Sequence, residues 1–332
     1  MKKRENTILD VPGIKVGQSS DLKALTGCTV VLCENGAVCG VDVRGGAPGS
    51  RETDLLRPEN LVEKVHAVFF AGGSAFGLDG ASGVMQYLEE KGIGFDVGVT
   101  HVPIVPASVL FDLTVGSHEV RPDKEMAYKA CLSATDEYVE QGNVGAGTGA
   151  TVGKILGMKN CMKSGLGTSS KKVGELVVGA IVAVNAFGDV INPGTGEIIA
   201  GALKDNSEEF ADTLQVLEGF EIKKESKNVF IGNTTIGLVA TNASLTKAEA
   251  KKVASMAHNG FAKTIRPCHT MFDGDTIYAL STSNLKADIN LVGSLACEVM
   301  AQAVISAVIN AEGIAGLKSY TDIKNRKEKM NS

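Results

Sequence analysis

Between Glu175 and Phe187 the chain reads ELVVGAIVAVNAF, an apolar stretch too uniform to have a wet side. A half-exposed strand alternates polar and apolar residues, so this run is read as a strand buried on both faces. Such a strand needs covering layers above and below it, which puts it at the centre of the fold. Around it, from Gly142 to Gly188, the composition shifts to Gly, Val, Ala, Thr and Ser. Thirty-nine glycines in 332 residues exceed the usual ~7% and follow no G-X-Y period. They point to tight turns and close backbone approaches. No repeat of solenoid or propeller length is present.

The flanking segments alternate. Short β-branched stretches bounded by Gly or Asn predict strands at Cys28–Cys33, Ala37–Arg44 and Ala67–Ala71. A helix is predicted from about Leu78 to Lys91, stopped by Gly92, and another from Asp123 to about Glu140, stopped by Gly142. The charged stretch Lys204 to Lys227 reads as an exposed connection carrying a short helix. Val229 to Ala243 has two strand-like halves meeting at Gly232, Asn233 and Thr234. Thr246 and Glu249 form a capping box opening a helix to about Lys263. A strand at Thr276–Ser281 then precedes a helix at about Ala287–Ala311 that is apolar nearly all round and needs cover on more than one side. These patterns specify only α/β or α+β.

Thirty-three basic and 38 acidic residues, for a net charge of −5, leave little electrostatic footprint for nucleic acid or an anionic membrane. The opening MKKRENTILD has no apolar h-region behind it and no stretch reaches eighteen consecutive apolar residues, so a soluble cytoplasmic protein is expected. Seven cysteines contain no C-x-x-C, which suggests neither a disulfide framework nor a zinc site; most are read as small buried hydrophobes. With no Trp and 5% aromatics, a base-stacking module is disfavoured.

Four segments could carry chemistry. The loop GNVGAGTGATVGK, Gly142 to Lys154, has Thr148 where a P-loop needs glycine and Ile155 where it needs Ser or Thr, and its Gly145-x-Gly147 lacks the third glycine of a dinucleotide fingerprint. It is either a tight packed loop or an active-site loop supplying N–H donors and Lys154. Gly72 to Phe76 (GGSAF) breaks the nucleophile elbow at its last position, and the five histidines show no ligand spacing. Asn233-Thr234-Thr235 sets two hydroxyls between strand-like halves; a Thr becomes a competent nucleophile when its own α-amine, freed by a chain cut, serves as base. Otherwise it is a polar turn. Asp273-Gly274-Asp275 places two carboxylates on one face of an extended segment, or forms a hairpin turn.

Taken together, the series PGSRETDLL, GGSAFGLDGASGVM, VPIVPASVLFDL, GNVGAGTGATVGK, VGAIVAVNAFGDV, NTTIGLVATNA and MAHNGFAKTIRPCHTMFDGDTIYALST resembles the self-processing L-aminopeptidase/D-esterase family. That family includes β-aminopeptidases and the 6-aminohexanoate-oligomer endohydrolases that degrade nylon oligomers. The resemblance runs from about Asp10 to Ala311.

It implies an α+β, four-layer αββα sandwich of the N-terminal-nucleophile hydrolase kind. The chain would be one domain, 1–332, cut between Asn233 and Thr234 into 1–233 and 234–332. By the same resemblance Thr234 is nucleophile and, through its new amine, base; Asp273 and Asp275 hold the nucleophile and amine; Asn185 faces the oxyanion; and Lys154 stands near the site. Phe111, where several relatives carry Tyr, and Gly145 and Gly147 would line the substrate site. No metal or cofactor is implied. The expected partners are a small peptide or amide substrate and further copies of the chain, as a tetramer of processed heterodimers. The Thr with Asp-x-Asp is more similar to the nylon-oligomer hydrolases than to the β-aminopeptidases, and amide hydrolysis follows, endo-acting on oligomers or exo-acting on L-amino-acid amides and β-peptides. An inactive binding member, and acyl transfer of the ornithine acetyltransferase kind, are the alternatives.

Overall fold

The run at 176–185 is a strand with all ten residues buried. It belongs to a hydrogen-bonded sheet of nine strands in the computed structural model, which describes residues 6–223 and 232–330. In chain order these are β1 (Lys15–Asp21), β2 (Thr26–Val43), β3 (Ser50–Arg51), β4 (Lys64–Ala71), β5 (Ala107–Val109), β6 (Leu166–Val173), β7 (Leu176–Asn185), β8 (Thr234–Ala243) and β9 (Thr276–Leu285). Their spatial order is β6-β7-β8-β9-β2-β4-β5-β3, with β1 also paired to β2. The helices are α1 (Ala81–Glu90), α2 (Lys124–Leu132), α3 (Thr213–Lys223), α4 (Lys247–Thr264), α5 (Ile289–Ile309) and α6 (Tyr320–Met330). Residues 224–227 of the charged connection and 229–231 of the first strand-like half lie outside the described residues.

Side-chain alternation shows how one sheet makes two layers. On β7, Val178, Ala180, Val182 and Val184 enter a core shared with α4 and α5, whereas Val177, Ile181 and Ala183 enter a second core. That second core also takes Val31 and Cys33 of β2 and Val65, Val68 and Phe70 of β4. On the far side of β2, Cys28, Val30 and Leu32 pack with Ala81, Val84 and Leu88 of α1 and Ala127 and Ala130 of α2. Three cores therefore separate four layers in the order helix, sheet, sheet, helix, the sandwich expected above.

The two β layers are continuous through β2. Its first half pairs with β1 and β4, and Val38–Val43 pairs with β9. The strand changes layer at an irregularity between Leu32 and Ala37, where Gly36 takes φ +73. The sequence predicts two strands here; a bulge bends one strand instead of ending it. Tyr278 stitches the layers across the second core, its hydroxyl 2.7 Å from Ser108 Oγ and donating to Ala107 O at 3.1 Å.

α4 begins at the predicted capping box, with Thr246 and Glu249 each bonding the other's backbone. α2 ends at Leu132, eight residues before the sequence predicts, because Thr135 exchanges backbone hydrogen bonds with Val16 on β1 (3.0 and 3.1 Å). Tertiary pairing there overrides local helix preference. α5 is long and apolar enough to cross a membrane, yet 67% of its most apolar window is buried in protein. All seven cysteines are free, and six are buried.

α5 approaches β6 so closely that a Cβ at Gly167 would lie 2.1 Å from Ala303 O and 2.4 Å from Ala307 N. Both are backbone atoms, which cannot swing aside. Gly167→Ala is expected to destabilise by at least the roughly 1–3 kcal/mol typical of overpacking, measured as a lowered denaturant midpoint.

Candidate active site

Three strand ends meet at one point. Antiparallel register sets Asn185, the last residue of β7, opposite Thr234, the first of β8. β9 runs parallel to β8, with Thr276 beside Ile236, and Asn233 bridges Asp273 in the same sense. Asp273-Gly274-Asp275 is therefore an entry into a parallel strand. A hairpin at Asp-Gly, the other reading of that segment, is not formed.

The site is deeply buried: Thr234 is 5% exposed, Asn233 2%, Asp273 and Asp275 1%, and Asn185 fully covered. Thr234 Oγ1 donates to the carbonyl oxygen of Asn233 at 2.5 Å. The same carbonyl accepts the Gly274 N–H at 2.9 Å. A Cβ on Gly274 would sit 2.6 Å from Thr234 Oγ1 and 2.6 Å from Ala47 O, so only glycine lets this backbone pass against the hydroxyl. Asn233 Nδ2 donates to Phe272 O at 3.3 Å.

The Asn185 amide is oriented by what surrounds it. Its Oδ1 accepts from Lys154 Nζ (2.8 Å), Thr151 N (3.1 Å) and Thr151 Oγ1 (3.4 Å). With those donors on the oxygen, Nδ2 is left to donate to Phe111 O at 3.0 Å and toward Gly232 O at 3.5 Å, beside the junction. Phe111 thus joins the site through its carbonyl. Lys154 Nζ also donates to Asn185 O at 3.0 Å, and burial pulls its pKa down to about 7 against the partial support of Cys161, Asp273, Asp112 and Asp275.

The two carboxylates face protein donors. Asp273 accepts from Phe187 N through Oδ1, and from Thr270 N and Oγ1 through Oδ2. Burial first, and the neighbouring charge of Asp275 second, push its pKa upward. Asp275 accepts Thr235 N (2.9 Å) through Oδ1, and His269 N (3.0 Å) and Nδ1 (2.9 Å) through Oδ2. Gly145 and Gly147 sit in the loop behind: the Gly145 N–H donates to Ser20 Oγ and the Gly147 N–H to Val144 O. Lys163, fully buried, ties that loop down by donating to Gly147 O and Ala150 O at 3.0 Å and to Ser164 O.

The structure brings Thr234, Asn233, Asn185, Lys154, Asp273, Asp275 and the Phe111 carbonyl together, and gives the two loop glycines partners elsewhere. Sequence reasoning missed His269, Thr270 and Thr151. A Thr-x-x-Asp spacing at Thr270 and Asp273 was the available signal, since a Thr hydroxyl and amide readily bond a side chain three residues on. His269 had none, because its partner is chosen by how the chain turns.

A match to the model of peptidase family S58 covers residues 6–321. The chain belongs to peptidase family S58. This peptidase is accordingly a hydrolase of amide bonds. It is 42% identical to an uncharacterized aminopeptidase of Mycobacterium leprae, over 95% of this chain and 93% of that one. It is 30% identical to a 6-aminohexanoate-oligomer endohydrolase of Kocuria sp., over 92% and 86% of the two chains. Its fold is that of the L-aminopeptidase D-Ala-esterase/amidase of Ochrobactrum anthropi, an Ntn-hydrolase variant (TM-score 0.72, 16% identity, covering 98% of this chain and 93% of that one). A β-aminopeptidase of Burkholderia sp. has a similar fold (TM-score 0.71, 18% identity, covering 100% and 96%).

The buried lysine makes a pH prediction. Its folded pKa lies below the ordinary value of 10.5, so the unfolded chain binds the extra proton between about 7 and 10.5 and stability rises with pH across that window. Lys154→Met removes this contribution. The unfolding free energy of the wild-type peptidase relative to Lys154→Met is expected to climb as pH goes from 7 toward 10, followed by denaturant melts; a flat difference would contradict the assignment.

Proposed function

We propose that this peptidase is a self-processing N-terminal-nucleophile amidohydrolase that cuts its own Asn233–Thr234 bond and then works through Thr234. The carrying observation is the contact of Thr234 Oγ1 with the Asn233 carbonyl, whose oxygen already accepts the Gly274 amide.

In processing, Oγ1 attacks the Asn233 carbonyl carbon, and its proton passes to the departing Thr234 nitrogen. The developing oxyanion has the Gly274 N–H as donor, the C–N bond breaks, and an ester on Thr234 forms while its α-amine is released. Water hydrolyses the ester, leaving the carboxylate of Asn233 and a new N-terminus. The two pieces remain joined because β8 lies between β7 and β9 inside the sheet. The new amine has an ordinary pKa of about 7.7–8.0, so a useful fraction is neutral near pH 7. Consecutive strand amides face opposite edges, and with the Thr235 amide on Asp275 the Thr234 nitrogen is turned toward Asn185 and Lys154.

In turnover the same hydroxyl attacks the substrate amide, its amine takes the proton and returns it to the leaving amine, and water resolves the acyl-enzyme. Asn185 Nδ2 supplies the oxyanion donor, a role typically worth about 10²–10³ in rate. Lys154 holds that amide in orientation. The substrates are small peptides or 6-aminohexanoate oligomers. Endo-acting cleavage is favoured because both carboxylates already accept donors from the protein, which leaves neither dedicated to a substrate ammonium. Exo-acting aminopeptidase activity is the second reading, favoured by the 42% identical relative.

Denaturing gels of the purified protein should give two bands, the smaller beginning Thr-Thr-Ile-Gly. Thr234→Ala should give one inactive, folded chain. A fully active uncut chain would refute the mechanism and return the inactive-binder reading.

For specificity, 6-aminohexanoate oligomers with free and blocked amines should be cut at comparable rates. Cleavage of the free forms alone, with L-amino-acid p-nitroanilides as good substrates, would establish the exo-acting reading.

A further inference from the structure

We propose that His269 is a positioning residue of this amidase, clamping Asp275 so that the carboxylate's other oxygen stays on the Thr235 N–H at the root of the nucleophile strand. The inference rests on Thr234 being the nucleophile.

Asp275 is held from both ends. One oxygen takes two hydrogen bonds from a single residue, the His269 amide at 3.0 Å and its Nδ1 at 2.9 Å; the other takes the amide next to Thr234 at 2.9 Å. The carboxylate is thus a rigid link from one imidazole to the start of β8. Two features mark His269 as more than packing. Its backbone sits at φ +58, a left-handed conformation unusual for a residue with a side chain. Its Nε2 is buried without a hydrogen-bond partner in the structure. Strained and under-satisfied buried groups concentrate where function over-determines them.

The surroundings place a charge on this ring. Against it lie Asp275, Cys268, the Phe261 ring and His258, whose ring packs edge-on at 4.8 Å between centroids. His258 bonds Asp42 O through Nε2 and lies near Arg44. Burial disfavours charge on His269, but the hydrogen bond to Asp275, the contact with Cys268 and the charge of Asp275 together outweigh it and the pKa is pushed up to about 10. Burial moves His258 the other way. The pair therefore carries its proton on the ring beside Asp275. Asp273 has no such cation bonded to it, and its charge is disfavoured by burial first and by the neighbouring Asp275 second.

His269→Asn tests this. Asn tolerates the left-handed backbone and offers an N–H in place of Nδ1–H, but carries no charge. The expected result is a processed enzyme with nearly unchanged KM, kcat lowered roughly tenfold, as when a charge-assisted hydrogen bond becomes a neutral one, and the acid limb of the kcat profile moved to higher pH. His269→Ala, lacking the side-chain donor, should lose more. Wild-type kcat and pH profile in His269→Asn, or a change confined to KM, would overturn the proposal. Independent of any variant, ring-nitrogen NMR of the processed wild-type enzyme should find one of the five histidines doubly protonated at neutral pH; all five neutral there would also overturn it. Turnover by Thr234→Ala would instead remove the nucleophile reading, whereas an unaffected His269→Asn in an enzyme that needs Thr234 removes only the role of His269.

Discussion

The pairing of β7 with β8 sets Asn185 opposite Thr234, and a slip of one residue in either strand would turn that strand's side chain to the other face of the sheet. The register is protected by burial on both faces. Ile181 and Ala183 point into one core and Val182 and Val184 into another, so a slip would mismatch two packed interfaces at once. β9 is fixed against the same strand in parallel, which brings its two entry carboxylates to the same end of the sheet. The geometry of these strand ends thus inherits its precision from hydrophobic packing several residues away.

Holding that geometry requires burying charge. Lys154, Lys163, Lys247, Asp112 and Asp189 are all buried, and each is surrounded by hydrogen-bond partners, mostly backbone groups. Lone buried charges cost several kcal/mol, so these contacts are what make the interior tolerable. They also rigidify: Lys163 binds two turns of the glycine-rich loop and Lys154 fixes the Asn185 amide. A loop that looks by composition like a phosphate cradle is in fact a clamped wall behind the Asn185 amide.

The same economy explains why the junction is tight. Gly274 passes against Thr234 because any side chain would collide with the hydroxyl and with Ala47 O. The Asn233 carbonyl oxygen is consequently gripped between the hydroxyl and the Gly274 amide.

Much of this was legible in the residues themselves. The continuous apolar run read as a doubly covered strand, Thr246 and Glu249 marked their helix start, and the motif series pointed to the family and to the Thr, Asn and Asp positions that the fold brings together. These are local or near-local signals, carried by residue type and spacing. Three matters belonged to the tertiary structure alone. β2 crosses between layers because a bulge at Gly36 lets one strand pair with β4 and then with β9; α2 stops early because Thr135 finds Val16; and His269 meets Asp275 because the backbone turns left-handed before β9. Each depends on a partner distant in sequence or on a backbone conformation that residue types do not announce, and pairing energy gained in the folded chain outweighs the local preference that sequence reads.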